Sequence, residues 1–111
     1  MSQSTEATVQ FAVVQPSGVF DGSQAGSFRQ AIEDHLATSN VILVDLQEVK
    51  FMDSSGLGAI VAALKTVRSA GGQLYLCALN QQVKMLFELT SVDQVFELFP
   101  NRAAFVEAIG G

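Results

Sequence analysis

Val41-Ile42-Leu43-Val44-Asp45-Leu46, followed by Phe51-Met52-Asp53-Ser54-Ser55-Gly56-Leu57-Gly58, is the stretch on which the fold turns. The run from Val41 to Val44 is continuously apolar, as in a strand covered on both faces. Leu57, Ile60, Val61, Leu64 and Val67 then recur with a helical period, and Gly71-Gly72 supplies the stop. Asp53, Ser54 and Ser55 stand where a helix cap belongs. A strand, a polar turn and a long amphipathic helix predict a βα unit.

The same alternation continues on both sides. Upstream, Thr8 to Val14 predicts a strand, and Val19-Phe20 leads into Asp21-Gly22-Ser23, a turn signal that can also cap a helix. From Ser23 to Thr38, Phe28, Ile32 and Leu36 recur at i, i+4 and i+8 and predict an amphipathic helix. Downstream, Gln73 to Ala78 predicts a strand, and Val83, Leu86 and Phe87 predict a short helix. Gln94 to Phe99 predicts a last strand. Asn101 can cap a terminal helix carrying Phe105, Val106 and Ile109, with Pro100 and Phe105 in the staple positions. The order β-α-β-α-β-α-β-α predicts an α/β fold with a mainly parallel β-sheet of about four strands and about four α-helices. One domain is expected over residues 1–111, with residues 1–6 frayed.

Composition narrows the function. With 49% apolar and 15% charged residues in 111, the chain has enough core to fold unaided. Six Lys+Arg against eleven Asp+Glu give a net charge of -5, and the basic residues form no run. Nucleic acid and anionic membrane surfaces are therefore poor candidate partners. Cys77 is the only cysteine and His35 the only histidine, which excludes an intramolecular disulfide and multi-His or multi-Cys metal sites. No metal, cofactor or enzymatic activity is expected. The start of the chain lacks a signal-peptide pattern, and the apolar run Leu57 to Leu64 falls far short of the roughly 20 residues a membrane span needs. A cytoplasmic location is expected.

In a parallel sheet with right-handed crossovers, strand-to-helix loops emerge on one edge. That places Asp21, Gly22, Ser23, Asp53, Ser54, Ser55 and Asn80 towards one surface. Helix capping is the plain reading of Asp53-Ser54-Ser55, yet one cap is enough and the loop supplies three candidates. Gly56 and Gly58 leave the helix start with little side-chain cover, so another molecule can approach closely. A hydroxyl there lies beside unpaired backbone N–H groups and the positive end of the helix dipole, a place suited to a phosphoryl group.

On these residues the sequence resembles the STAS domain of bacterial anti-sigma factor antagonists. The resemblance rests on Val41 to Leu46, on Phe51 to Gly58 and on Gly71-Gly72 before a strand. Phe20-Asp21 adds the family's hydrophobic-Asp step, and the likeness runs from about Val13 to Phe105. It implies a single STAS-like domain working in a partner switch. Ser55, or less readily Ser54, would be phosphorylated by an anti-sigma factor that is also a serine kinase, and a serine phosphatase would reverse this. The unphosphorylated form would bind the kinase and free a sigma factor. The partner-binding residues so implied are Asp21, Gly22, Ser23, Asp53, Ser54, Gly56, Leu57, Gly58 and Asn80. A monomer or weak dimer is expected. One departure is visible: such domains usually open with a pair of strands, and Glu6 to Gln15 offers little more than one.

Three other readings compete. A STAS module that is never phosphorylated could assemble with signalling or lipid-transport proteins. A nucleotide-binding module lacks any Walker or dinucleotide glycine pattern. A serine hydrolase would need His35 as its base and lacks the Gly-x-Ser-x-Gly elbow. Met52, Met85, Cys77 and the eight Phe read as packing residues. Phe20, Leu57 and Ile60 are alternative partner-surface residues if exposed. Asp45 reads as a strand-end turn with no chemistry.

Overall fold

A computed structural model describes residues 10–110 of the chain. The expected fraying of residues 1–6 and the beginning of the first expected strand fall outside that range. Six strands are described: β1 (Ala12–Val14), β2 (Gly18–Phe20), β3 (Val41–Asp45), β4 (Val49–Met52), β5 (Gln73–Cys77) and β6 (Leu98–Phe99). The four helices are α1 (Ala25–Leu36), α2 (Ser54–Ser69), α3 (Gln81–Leu89) and α4 (Arg102–Gly110). Short 3-10 turns at Gly22–Gln24 and Val92–Gln94 precede α1 and β6.

The strands form two sheets and not one. The main sheet has the order β1-β3-β5-β6, and β2 pairs with β4 in a separate two-stranded sheet. Every described pairing is parallel. The α/β class, the four-stranded parallel sheet and the four helices match the expectation. The small sheet does not. In sequence Val19-Phe20 and Phe51-Met52 only lead into turns, whereas in the structure each belongs to a strand of three or four residues. Gln94 to Phe99 is likewise a 3-10 turn, a buried Phe96 and a two-residue strand. The expected departure at the start bears on Glu6 to Gln15, part of which lies outside the described residues; within residues 10–15 there is one strand, parallel to β3 at the sheet edge.

Alternation along the central strands builds two cores. Ile42, Val44, Leu74 and Leu76 face Phe28, Ile32, Leu57, Ile60, Leu64 and Val67 of α1 and α2, with Val83 and Phe87 of α3 in the same cluster. Leu43 and Cys77 face the other way and pack with Phe105 of α4, joined by Phe11, Tyr75 and Phe99. The period of two is what lets a wholly apolar strand serve both sides. Asp45 also points to the α4 side, and at 2% exposure it is the one charged residue in the core among the described residues.

Asp45 has two tasks. One oxygen accepts the Gln47 N–H at 3.0 Å, which is the expected turn. The other receives Arg102 Nη2 at 2.8 Å and Nε at 3.2 Å, tying the first turn of α4 to the end of β3. The fork-shaped pair compensates a buried carboxylate whose partner is itself about half exposed. Arg102→Ala leaves that carboxylate short of a partner and is expected to lower stability by about 2 kcal/mol. Urea unfolding checks this, and adding Asp45→Asn should recover much of the loss. A change in the single variant under about 0.5 kcal/mol would mean that water replaces the guanidinium freely.

Cys77 is the packing residue that its apolar strand predicts, fully buried beneath α4. Burial first, then the neighbouring Asp45 carboxylate, pushes its thiol up to about 11. Tyr75 is raised for the same leading reason, with Glu97 adding to it. A raised thiol keeps its proton in the folded chain after the unfolded chain has lost it. The stability this contributes is complete below about pH 8.5 and disappears as pH climbs towards 11. The free energy of urea unfolding should therefore drop between pH 8 and pH 10, by roughly 1 kcal/mol from Cys77. Cys77→Ala should flatten the slope. An identical slope in that variant would assign the alkaline loss to other groups.

Candidate functional site

The strands of the small sheet end together, β2 at Phe20 and β4 at Met52, and the aspartate that follows each caps the helical turn after it. Asp53 has extended backbone and its carboxylate accepts the Gly56 N–H at 2.9 Å. Asp21, also extended, accepts both the Ser23 N–H at 2.9 Å and the Ser23 hydroxyl at 2.5 Å. These hydrogen bonds, the hydroxyl's first, hold the Asp21 carboxyl below its usual pKa although it is open to solvent. The group is therefore a permanent negative charge at physiological pH.

The two loops touch. The Asp53 N–H points to the Phe20 carbonyl at 3.4 Å, and a methyl group built on Gly22 would lie 3.5 Å from Ser55 Cβ. Gly56 makes the approach possible. Its α-carbon is pressed so closely on β2 that a methyl there would fall 2.1 Å from the Phe20 carbonyl oxygen. Gly58, one residue beyond Leu57, has open space on its outer side and is exposed. Ser54 and Ser55 are both exposed at the first turn of α2, where backbone N–H groups have no intrahelical acceptor.

The expected residues divide accordingly. Gly22 and Ser55 meet across the two loops, and Asp21, Ser23, Asp53 and Ser54 flank them in these loops, with Gly58 exposed one turn further along α2. Gly56 is adjacent but buried, and Leu57, at 5% exposure, is a core residue that anchors the helix from below. Phe20 and Ile60 are fully buried as well, so none of the three apolar candidates faces a partner. Asn80 stands apart. Its side-chain oxygen caps α3 through the Val83 N–H at 2.9 Å, and its amide donates to the Val49 and Lys50 carbonyls at 3.0 and 3.2 Å. Lys50 lies three extended residues before Asp53, about 10 Å along the strand.

The packing reading fails for Phe51 and Met85, which are 47% and 51% exposed. Phe51 is the register partner of Val19, itself 52% exposed, so the small sheet that carries the two acidic loops also presents an apolar pair to solvent. No periodicity could have announced this, because strands this short show none. Among the described residues there is no cluster of three metal-ligating side chains. No described helix is long and apolar enough to cross a membrane.

The chain belongs to the STAS domain family, whose model matches residues 2–104. It is 34% identical over 83 residues to the anti-sigma-B factor antagonist of Listeria monocytogenes, a match covering 74% of this chain and 73% of the relative. A crystal structure of an anti-sigma factor antagonist from Mycobacterium paratuberculosis superposes with a TM-score of 0.77 at 26% identity, covering 89% of this chain and 85% of the other. A sulfate transporter family protein from Wolinella succinogenes shares the fold, with a TM-score of 0.80 at 13% identity over 91% and 87% of the two chains. The fold thus serves more than one kind of protein, and function must be argued from the loops.

Proposed function

We propose that the protein is an anti-sigma factor antagonist in a cytoplasmic partner switch, with Ser55 as its phosphoacceptor. It acts by binding and not by catalysis. The unphosphorylated form binds an anti-sigma factor that is also a serine kinase, so that a sigma factor is set free. The kinase transfers the γ-phosphoryl of ATP to Ser55 Oγ, the hydroxyl proton departs and ADP is released. A serine phosphatase restores the hydroxyl by hydrolysis.

The single observation that carries this reading is that Ser55 is exposed at the start of a helix, with open space beyond at Gly58 and with Gly22 of the Asp21 loop facing it. Ser54 is also exposed, and Ser55 is preferred because the resemblance to the STAS antagonists implies the second serine of the Asp-Ser-Ser-Gly element. The names of the relatives support the sigma-factor role. The exposed Val19–Phe51 pair supplies apolar area beside the acidic loops for a docking protein.

A phosphate on Ser55 adds about 1.5 to 2 negative charges. Within the domain, the helix N-terminus favours it by about 0.3–1 kcal/mol, while Asp21 and Asp53 repel it. The fold should hardly change. At an interface the balance differs, because a doubly charged group desolvated without a partner costs several kcal/mol.

The test begins with capture of partners from source cells by the wild-type chain and by Ser55→Asp. A captured kinase is then incubated with the chain and ATP, and mass spectrometry locates the phosphate. Phosphate on Ser55, absent in Ser55→Ala, is the expected result. Phosphate on Ser54 moves the site by one residue and leaves the switch intact. Stable binding without any phosphorylation identifies a STAS interaction module that does not switch.

A further inference from the structure

The two-stranded sheet is closed on both edges by side-chain amides. On the β2 side, Gln24 Nε2 donates to the carbonyls of Ser17, at 3.2 Å, and Val19. On the β4 side, Gln82 Oε1 accepts the Met52 N–H at 2.9 Å and Gln82 Nε2 donates to the Met52 carbonyl at 2.8 Å. One carboxamide thus satisfies both backbone groups of one residue, as a neighbouring strand would.

Met52 is the last residue of β4, is wholly buried, and turns these groups away from β2. Buried backbone donors and acceptors require partners. Its successor is Asp53, which caps the helix bearing Ser55. We infer that Gln82 is a positioning residue: from the first turn of α3 it fixes where β4 ends, and so where Asp53 and Ser55 stand against the Asp21 loop. Its purpose rests on the proposed phosphoacceptor role of Ser55, whereas the clamp itself does not.

The geometry also explains why glutamine is needed. A glutamate at neutral pH accepts the Met52 N–H and cannot donate to the carbonyl. Methionine has the same length and offers neither. Gln24 and Gln82 thus occupy backbone groups on both edges of the small sheet, where an added strand would otherwise pair.

The test compares amide hydrogen exchange in the full chain for wild type, Gln82→Met and, as control, Gln81→Met on the exposed side of the same helix turn. Gln82→Met is expected to speed exchange of the Met52 amide at least tenfold and to shift the backbone resonances of residues 53–56. Exchange at Ile42 to Val44 stays as in wild type, and Gln81→Met changes neither. With the captured kinase, phosphate transfer to Ser55 of Gln82→Met should show a lower kcat at unchanged KM. If Met52 exchange and the 53–56 resonances are unaltered, Gln82 positions nothing. If exchange rises equally at Ile42 to Val44, the residue supports global stability only, and the inference is overturned. A wild-type chain that accepts no phosphate defeats the switch while the exchange data still judge the clamp. Should Gln82→Met not fold, Gln82→Glu carries the same comparison, with the loss confined to the carbonyl side: the 53–56 resonances move if the inference holds and stay if it does not.

Discussion

Alanine at position 56 is expected to lower stability by roughly 3 kcal/mol or more, whereas alanine at position 58, two residues along the same helix, should raise it by up to about 1 kcal/mol. Both changes add one methyl group to α2, and propensity alone favours both. Their surroundings differ. At Gly56 the methyl would meet the Phe20 carbonyl oxygen at 2.1 Å and its carbon at 2.9 Å, which are backbone atoms of β2. No rotamer change relieves a backbone clash. Either α2 must move away from β2, breaking the contact between the two Asp-led loops, or the strand must shift with its buried Phe20. At Gly58 nothing lies within 4 Å. Urea unfolding of the two variants measures the difference directly. A Gly56→Ala chain within about 0.5 kcal/mol of wild type would show that the helix start is not held against β2.

That contrast marks the limits of what the residue order alone discloses. The run Val41 to Val44 and the period from Leu57 to Val67 are long enough to declare a buried strand and an amphipathic helix, and both stand within three residues of their expected limits. Asp53, Asn80 and Asn101 each cap the helix they precede, because capping is a local interaction between near neighbours. The small sheet was hidden, since β2 and β4 are too short for any alternation to register. The Arg102–Asp45 pair joins residues 57 positions apart, and Gln82 meets Met52 across 30. Such contacts depend on the tertiary path and leave no local mark. At the site, the grouping of Asp21, Asp53 and Ser55 followed from crossover handedness. The withdrawal of Leu57 and the emergence of Phe51 required knowing which face each element buries.

Ser55→Asp is expected to reduce affinity for the anti-sigma partner at least a hundredfold while leaving the thermal midpoint within a few degrees of wild type. The fold should tolerate it because position 55 is exposed, and the helix start welcomes a negative charge about as much as Asp21 and Asp53 oppose it. In the complex the carboxylate must lose water beside two acidic loops. A loss of about 3 kcal/mol corresponds to just over a hundredfold. Ser55→Ala should bind as wild type does, since the hydroxyl of Ser55 is not used to hold the loop together. Isothermal titration of the captured partner with the three chains checks the order. Equal weakening by Ala and Asp would point to loss of a hydroxyl contact and not to charge.

The most direct measurement uses the proposed modification itself. The chain is phosphorylated with its captured kinase, its occupancy at Ser55 confirmed by mass spectrometry, and the unmodified and phosphorylated forms are titrated against the same partner before and after phosphatase treatment. Charge-driven release predicts binding by the unmodified form, weakening of at least a hundredfold in the phosphoprotein, and full recovery once the phosphate is removed. Two forms that bind alike would contradict it.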